Sequence, residues 1–369
     1  MTHRLMAEVS ELPAIPESSV QAYTENLAAM VEKVNKIMSS RADIGLLIGE
    51  NPLQLMFENH KNHALFMGNV FALGQYALLI QTVAWAYRTY HSRGFAYAYF
   101  PAHLQAWRIA LGETLAEDTA GPLIRIYDWM LSRHEEFIAL SEETRSVSPQ
   151  PDQAWKEICN GFVQALIQGD KARVMELGQE AVQSAQDLPV FYLQVVQPAM
   201  YAVGEMWERG EISVAKEHLA SALVNRLMSA QYIELVRPQG EKRGRAVVSA
   251  AANEFHEVGA TMVANSLELD GWEVEYLGAN MPQDDFLDFV SAYQPDIVAL
   301  SAALASNLTA VQSVIQHISA WPGKRPKIMV GGLAFQGVSG LAQQLGADGY
   351  ARDCAQAVQL ARTWQEQQV

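Results

Sequence analysis

Beyond residue 244 the hydrophobic period of the chain changes from that of helices to that of short buried strands. Arg245–Ala252 (RAVVSAAA), Trp272–Leu277, Asp296–Ala302 and Lys327–Val330 are short apolar runs rich in Val and Ile, and Ala347–Ala351 (ADGYA) reads as a fifth. Helical stretches separate them. Strands that alternate with helices pair in parallel through right-handed crossovers, so residues 244–369 are expected to form a doubly wound α/β domain. Ligands of such sheets bind beyond the carboxyl ends of the strands, which directs attention to the loops there.

Upstream the pattern is helical throughout. Residues 1–16 hold two prolines and no period, and read as a flexible arm. Residues 17–141 carry apolar residues at three- and four-residue spacing, as in Val20-Tyr23-Leu27-Met30-Val31-Val34-Ile37. Asn51-Pro52, Phe100-Pro101 and Gly121-Pro122 are expected helix starts, with proline in the first turn. The polar, proline-containing stretch 142–151 reads as a linker. Residues 152–237 break at Gly169-Asp170, Asp187-Leu188-Pro189 and Gly210, which leaves four helices of bundle length, and Arg237-Pro238-Gln239-Gly240 ends them. The expected fold class is thus mainly α plus α/β: a helical N-terminal domain, a four-helix cap, and a C-terminal flavodoxin-like parallel sheet.

Composition removes several functions. Lys and Arg number 26 against 41 Asp and Glu, a formal charge of −15, so no basic face is expected for nucleic acid. The two cysteines, Cys159 and Cys354, form no C-x-x-C and offer neither a disulfide framework nor a thiolate metal site. Neither a signal core nor a run of about 18 apolar residues stands out. A cytoplasmic protein without membrane or nucleic-acid partners is the expectation.

The first strand of the α/β region runs into Asn253-Glu254-Phe255-His256-Glu257-Val258-Gly259. A histidine there sits where a ligand would sit. Glu254, two residues earlier, is placed to bond one ring nitrogen and leave the other free for a metal. Gly259 lets the backbone approach something bulky at the start of the next helix. Taken alone, this histidine reads better as an ordinary surface-loop residue than as a ligand.

In context the segment resembles the cobalamin-binding domain of methionine synthase, mutases, corrinoid methyl carriers and light-responsive regulators, over about residues 244–369. The resemblance implies that His256, within D/E-x-H-x-x-G, is the lower axial ligand of cobalt. It further implies that the displaced nucleotide tail lies in a slot bordered by Ser301, Leu304 and the pair Gly331-Gly332. Position 303 is Ala where Leu is usual in that Ser-x-Leu segment. Side chains at 331 and 332 are expected to block the tail.

Trp207 is followed after nine residues by Glu217-His218, across the Gly210 break. This resembles the helical cap of adenosylcobalamin-dependent light sensors, which implies that Trp207 covers the upper face while Glu217 and His218 contact the upper-ligand region. The plain alternative is a core tryptophan and an exposed helix turn. Many such sensors have a histidine directly after this tryptophan, whereas this chain has Glu208, so capture of cobalt by a histidine at that position is ruled out.

Residues 17–141 have helices too long, and too few basic residues, for a helix-turn-helix. They hold instead a band of aromatics, Trp85, Tyr87, Tyr90, Phe95, Tyr97, Tyr99, Phe100 and Trp107, with His91, Arg93 and His103 close by. Such a band is usually core, and would also suit a flat ligand with polar edges. His60 and His63 share a helix face, with Glu58 at the wrong offset for a di-iron motif. The arrangement resembles photocobilins, which implies a bilin such as biliverdin, held without covalent attachment because residues 1–158 lack cysteine. A dimerisation or docking bundle is the alternative. These readings converge on a non-enzymatic adenosylcobalamin photoreceptor that signals through light-dependent homo-oligomerisation to an unidentified output protein. A corrinoid methyl carrier is the leading rival, and a cobalamin-level sensor without photochemistry a third.

Overall fold

The computed structural model describes residues 2–143, 148–236 and 242–367. Residues 144–147 of the expected linker and the break at 237–240 lie outside them. The described residues fall into two compact units. The first runs to residue 143 and includes Glu208–Gly210; the second comprises the rest. No helix among the described residues is long and apolar enough to cross a membrane.

The first unit is helical: α1 (Thr2–Ser10), α2 (Glu17–Glu25), α3 (Leu27–Ser39), α4 (Ile44–Ile48), α5 (Leu53–Leu73), α6 (Ala77–Ser92), α7 (Tyr99–Thr114), α8 (Glu117–Ser132) and α9 (His134–Glu142). The expected flexible arm is therefore corrected. Leu5 and Val9, one helical turn apart, are buried, and ion pairs Arg4–Glu136 (2.8 Å) and Glu8–Arg133 (2.7 Å) tie α1 down. Its prolines, at 13 and 16, act only beyond its end. The expected start at Gly121-Pro122 is also corrected. Helix α8 begins at Glu117, where Glu117 and Asp118 meet the positive helix end, and Pro122 lies inside it. Only the bond to the Asp118 carbonyl is lost to that proline.

In the second unit four helical stretches form the cap: α10 (Lys156–Gln168), α11 (Lys171–Ala181), the run α12 (Leu188–Phe191) to α13 (Gln197–Glu208), and α14 (Val214–Leu235). Gly169, left-handed at φ +71°, ends α10, and the Asp170 carboxylate caps α11 by accepting from the Arg173 N–H at 3.0 Å. Phe162, Leu166, Val174, Phe191, Val195 and Leu227 are among the residues that fill the cap core. The third stretch contains a π turn, Tyr192–Val196, in which the Gln197 N–H reaches back five residues to the Tyr192 carbonyl. Pro198 explains it: with no N–H for the Gln194 carbonyl and a ring that crowds it, the backbone widens locally.

The remainder is β1 (Arg245–Ala250), α15 (Val258–Leu269), β2 (Glu273–Tyr276), α16 (Gln283–Tyr293), β3 (Ile297–Ser301), α17 (Leu308–Ser319), β4 (Lys327–Gly331), α18 (Leu341–Gln344), β5 (Gly349–Ala351) and α19 (Cys354–Glu366). All pairings are parallel and the strand order is β2-β1-β3-β4-β5. This is the flavodoxin-like order, whose reversal lies between β1 and β3. Strands β1, β3 and β4 are buried along most of their length, as their continuous apolar runs require, while the edge strand β2 is partly exposed. Met262 of α15 and Cys354 of α19 belong to the cap core, so the cap packs on the helices that cover the sheet, whose own core is separate.

Candidate functional site

At the reversal point the chain leaves β1 through Ala251 and Ala252 into the His256 loop. Two non-glycine residues with left-handed backbone lie here, Asn253 (φ +62°) and Asn280 (φ +52°), the second in the loop after β2. Such strain persists where its surroundings enforce it, and it collects at functional sites.

Glu254 is wholly buried, whereas the His256 side chain is 61% exposed. One carboxylate oxygen accepts from His256 Nδ1 at 2.5 Å and from the His256 N–H at 3.1 Å. The other accepts from the N–H groups of Ala303 (2.7 Å) and Leu304 (3.1 Å) and from Asn307 Nδ2 (3.1 Å). Burial works against ionisation of Glu254. The hydrogen bond and charge of His256, with main-chain N–H groups, outweigh it and pull the carboxyl down to about 2. His256 is raised above its ordinary value, first by the Glu254 hydrogen bond against the opposing effect of burial, then by the charges of Glu254 and Glu217. With a carboxylate at Nδ1, the neutral ring carries its proton there and offers Nε2 as a lone pair.

The surroundings of this imidazole are open. Phe255 is 70% exposed, an unusual state for a phenylalanine in a structured loop, and nothing lies within 4 Å of where a Cβ on Gly259 would stand. Ser301 ends β3 beside Gly331, and Leu304 projects half-exposed. The glycine pair is also required by the backbone itself. A Cβ at Gly331 would lie 2.7 Å from the Ala351 carbonyl oxygen, and one at Gly332, where φ is +103°, 2.2 Å from that of Ala302. A side chain there would strike neighbouring strand ends before it met any ligand.

Within the cap, Trp207 packs half-buried against the apolar core. Glu217 shares a 2.6 Å hydrogen bond with His218 Nδ1 and accepts from Ser221 Oγ at 2.8 Å, while His218 is 75% exposed. The Asn225–Glu257 bond brings α14, the helix that carries Glu217, to the His256 loop, and the Glu217 charge helps raise His256. Polar contacts tie cap to sheet: Asn225 Nδ2 to Glu257 (2.8 Å), Asn265 Nδ2 to Tyr192 Oη (2.8 Å) and Gln336 Nε2 to Tyr201 Oη (3.1 Å). Asn280 and Asn307 were invisible in the sequence, because asparagine in a turn or before a helix is ordinary turn chemistry, and Asn225 because it stands in the middle of α14 with nothing local to mark its partner.

The aromatic band of the first unit is largely core: Tyr87, Phe95, Tyr99, Phe100 and Trp107 are buried, with Tyr87 and Phe100 stacked at 3.6 Å. His60, His63 and His103 cluster inside it, their rings 4.6–4.8 Å apart about His103. His60 Nδ1 donates to Asn35 Oδ1 (2.6 Å), and Trp107 Nε1 donates to His103 Nε2 (2.6 Å). Among the described residues no group of three or more His, Cys, Asp or Glu could hold a metal ion. Burial pushes His60 down to about 4 and His63 to about 3, the latter helped by the charge of His60, and places His103 well below its ordinary value.

The unfolded chain takes up protons near pH 6.5 and the folded unit does not. Stability of the first unit is therefore fully present above about pH 6.5 and falls as pH drops toward 4, by about 1.4 kcal/mol per pH unit for each histidine. Imidazole NMR should find these three rings neutral at pH 5; titration near 6.5 would contradict the packing.

Residues 244–359 match the B12 binding domain family, and residues 158–231 match a second B12 binding domain family. A corrinoid protein of Desulfitobacterium hafniense is 25% identical over 54% of this chain and 93% of its own length. The HTH-type transcriptional repressor CarH of Myxococcus xanthus is 30% identical over 52% of this chain and 62% of its own. Dimethylamine corrinoid protein 2 of Methanosarcina acetivorans is 24% identical over 56% of this chain and 95% of its own. In fold, the second unit's architecture has a counterpart in the Methanosarcina barkeri monomethylamine corrinoid protein, with a TM-score of 0.50 at 20% identity, over 56% of this chain and 97% of that one. Two B12-binding domains, a helical one followed by an α/β one, thus make this chain a cobalamin-binding protein.

Proposed function

We propose that the protein is an adenosylcobalamin photoreceptor, with His256 as the lower ligand of cobalt and Trp207, Glu217 and His218 on the upper side. The observation that carries this reading is the cap. Trp207 and the Glu217–His218 pair stand on consecutive helices, and the helix that carries the pair is bonded to the His256 loop through Asn225 and Glu257. When bound, adenosylcobalamin supplies a cobalt–carbon bond that light can break. Glu254 holds the His256 proton at Nδ1 and so keeps Nε2 free to ligate. Ser301, Leu304, Gly331 and Gly332 border the nucleotide tail, and Gly259 leaves room beside the imidazole. Trp207 repacks once the upper group is gone, and the altered cap changes the homo-oligomeric state that a cytoplasmic output protein reads. The first unit holds a bilin non-covalently beside its aromatic residues, or serves as the oligomerisation module.

The reconstituted chain should change both its absorption spectrum and its elution volume after green light. An unchanged spectrum and unchanged assembly would overturn the photoreceptor reading. A long-wavelength band in protein from cells supplied with biliverdin would assign the first unit to a bilin; its absence would assign that unit to assembly.

A corrinoid methyl carrier is the second reading, favoured by matches that span 93% and 95% of two proteins named as corrinoid proteins. It expects preferential retention of methylcobalamin and turnover with a methyl donor and a separate methyltransferase.

A further inference from the structure

The His256 loop is braced from outside by a residue that no cobalamin motif quoted above contains. Asn280 stands in the turn after β2, between Gly278 (φ +78°) and Pro282, which precedes α16. Its Oδ1 accepts from the Asn253 N–H at 2.8 Å, and its own N–H donates to the Glu254 carbonyl at 2.9 Å. One residue thereby grips the main chain at both Asn253 and Glu254. Asn307 takes the other side, donating from Nδ2 to the Asn253 carbonyl at 3.2 Å. Among the described residues, the non-glycine residues with positive φ are Asn253, Asn280 and Gln294. Two of the three therefore face each other across this one contact.

We propose that Asn280 is a positioning residue for His256. By fixing the backbone of Asn253 and Glu254, it holds the carboxylate that in turn orients the imidazole, and so favours ligation of cobalt by histidine. The proposal rests on His256 being the lower ligand. The side-chain acceptor is the working part, since Asn253 contributes only main-chain groups to the brace. Glycine adopts left-handed backbone freely, so Asn280→Gly removes the acceptor without adding strain. Asn280→Asp keeps an acceptor in place, and Asn253→Gly leaves every bond of the brace intact.

Two measurements on the full chain test this. In the cofactor-free protein, hydrogen exchange of the Asn253 amide should quicken in Asn280→Gly and stay at the unsubstituted rate in Asn280→Asp. With cob(II)alamin bound, electron paramagnetic resonance of protein grown on 15N-histidine reports the fraction of cobalt ligated by histidine. Its ratio to unligated cobalt should fall at least about threefold in Asn280→Gly and be retained in Asn280→Asp and Asn253→Gly, as expected for one hydrogen bond. Should Asn280→Gly fail to fold, Asn280→Ser, whose hydroxyl falls short of the Asn253 amide, carries the same expectation. Unchanged exchange and ratio in the glycine variant, or equal losses in the aspartate variant, would overturn the proposal. No histidine-derived splitting in the unsubstituted protein would instead overturn His256 as the ligand, and the exchange rates alone would then decide the brace.

Discussion

Replacing His256 with alanine is expected to abolish the histidine-ligated cobalamin spectrum and to weaken cobalamin retention by about 100-fold or more. Loss of a group that merely orients a metal ligand typically costs about 10–100-fold in affinity. Here the orienting group is Glu254, so Glu254→Ala should fall within that range, and loss of the ligand itself should cost at least as much. The two variants separate in another respect. His256 is mostly exposed, so its removal should keep the cofactor-free fold at a modest cost in stability, because buried Glu254 loses that partner but keeps its main-chain N–H donors. Removing Glu254 takes the acceptor from the N–H groups of Ala303 and Leu304 and from one of the two bonds of the buried Asn307 amide, so that variant should lose more stability as well as affinity. Equilibrium binding and urea unfolding, measured side by side, check both. Unaltered cobalamin retention and an unaltered spectrum in His256→Ala would assign the lower ligand elsewhere.

Gly332→Ala is expected to destabilise the second unit by about 3 kcal/mol or more, in the absence of any cofactor. Two costs combine: a left-handed backbone at φ +103° that L side chains rarely adopt, and a Cβ only 2.2 Å from the Ala302 carbonyl oxygen. The obstacle is main chain held in the sheet, since Ala302 donates to Gly331 and accepts from Ala334. It cannot swing aside as a flexible side chain would. Gly259→Ala is the matched control. Open space surrounds that position near the start of α15, so alanine should leave the cofactor-free protein as stable, or up to about 1 kcal/mol more stable. Equal unfolding midpoints for the two variants would refute the steric account of Gly332.

The alternation of Val- and Ile-rich runs with helical stretches was enough to place five parallel strands, because period and β-branched content are local properties. The breaks at Gly169 and Gly210 marked helix ends for the same reason. Other features were out of reach. Pro122 resembles a helix start in isolation, yet the acidic pair upstream wins the N-terminus. The π turn at Tyr192–Val196 follows from Pro198, but only within a helix whose neighbours keep it continuous. Helix α1 exists because distant parts of the chain accept it: α6 packs against it, and Glu136 and Arg133 take its charges.

The same division runs through the site. The sequence by itself determined that a histidine follows the first strand of a doubly wound sheet, with a carboxylate two residues earlier and glycines at a later strand end. Only the tertiary structure decided that Glu254 is buried under donors from residues 303, 304 and 307, and that Asn280 grips the loop from the turn after β2. It likewise decided that the glycines at 331 and 332 make room for backbone. The physical reason is distance along the chain. Period and turn chemistry act within a few residues, whereas the bonds that orient His256 join loops about 27 to 53 residues apart, and parallel strand pairing alone brings those loops together.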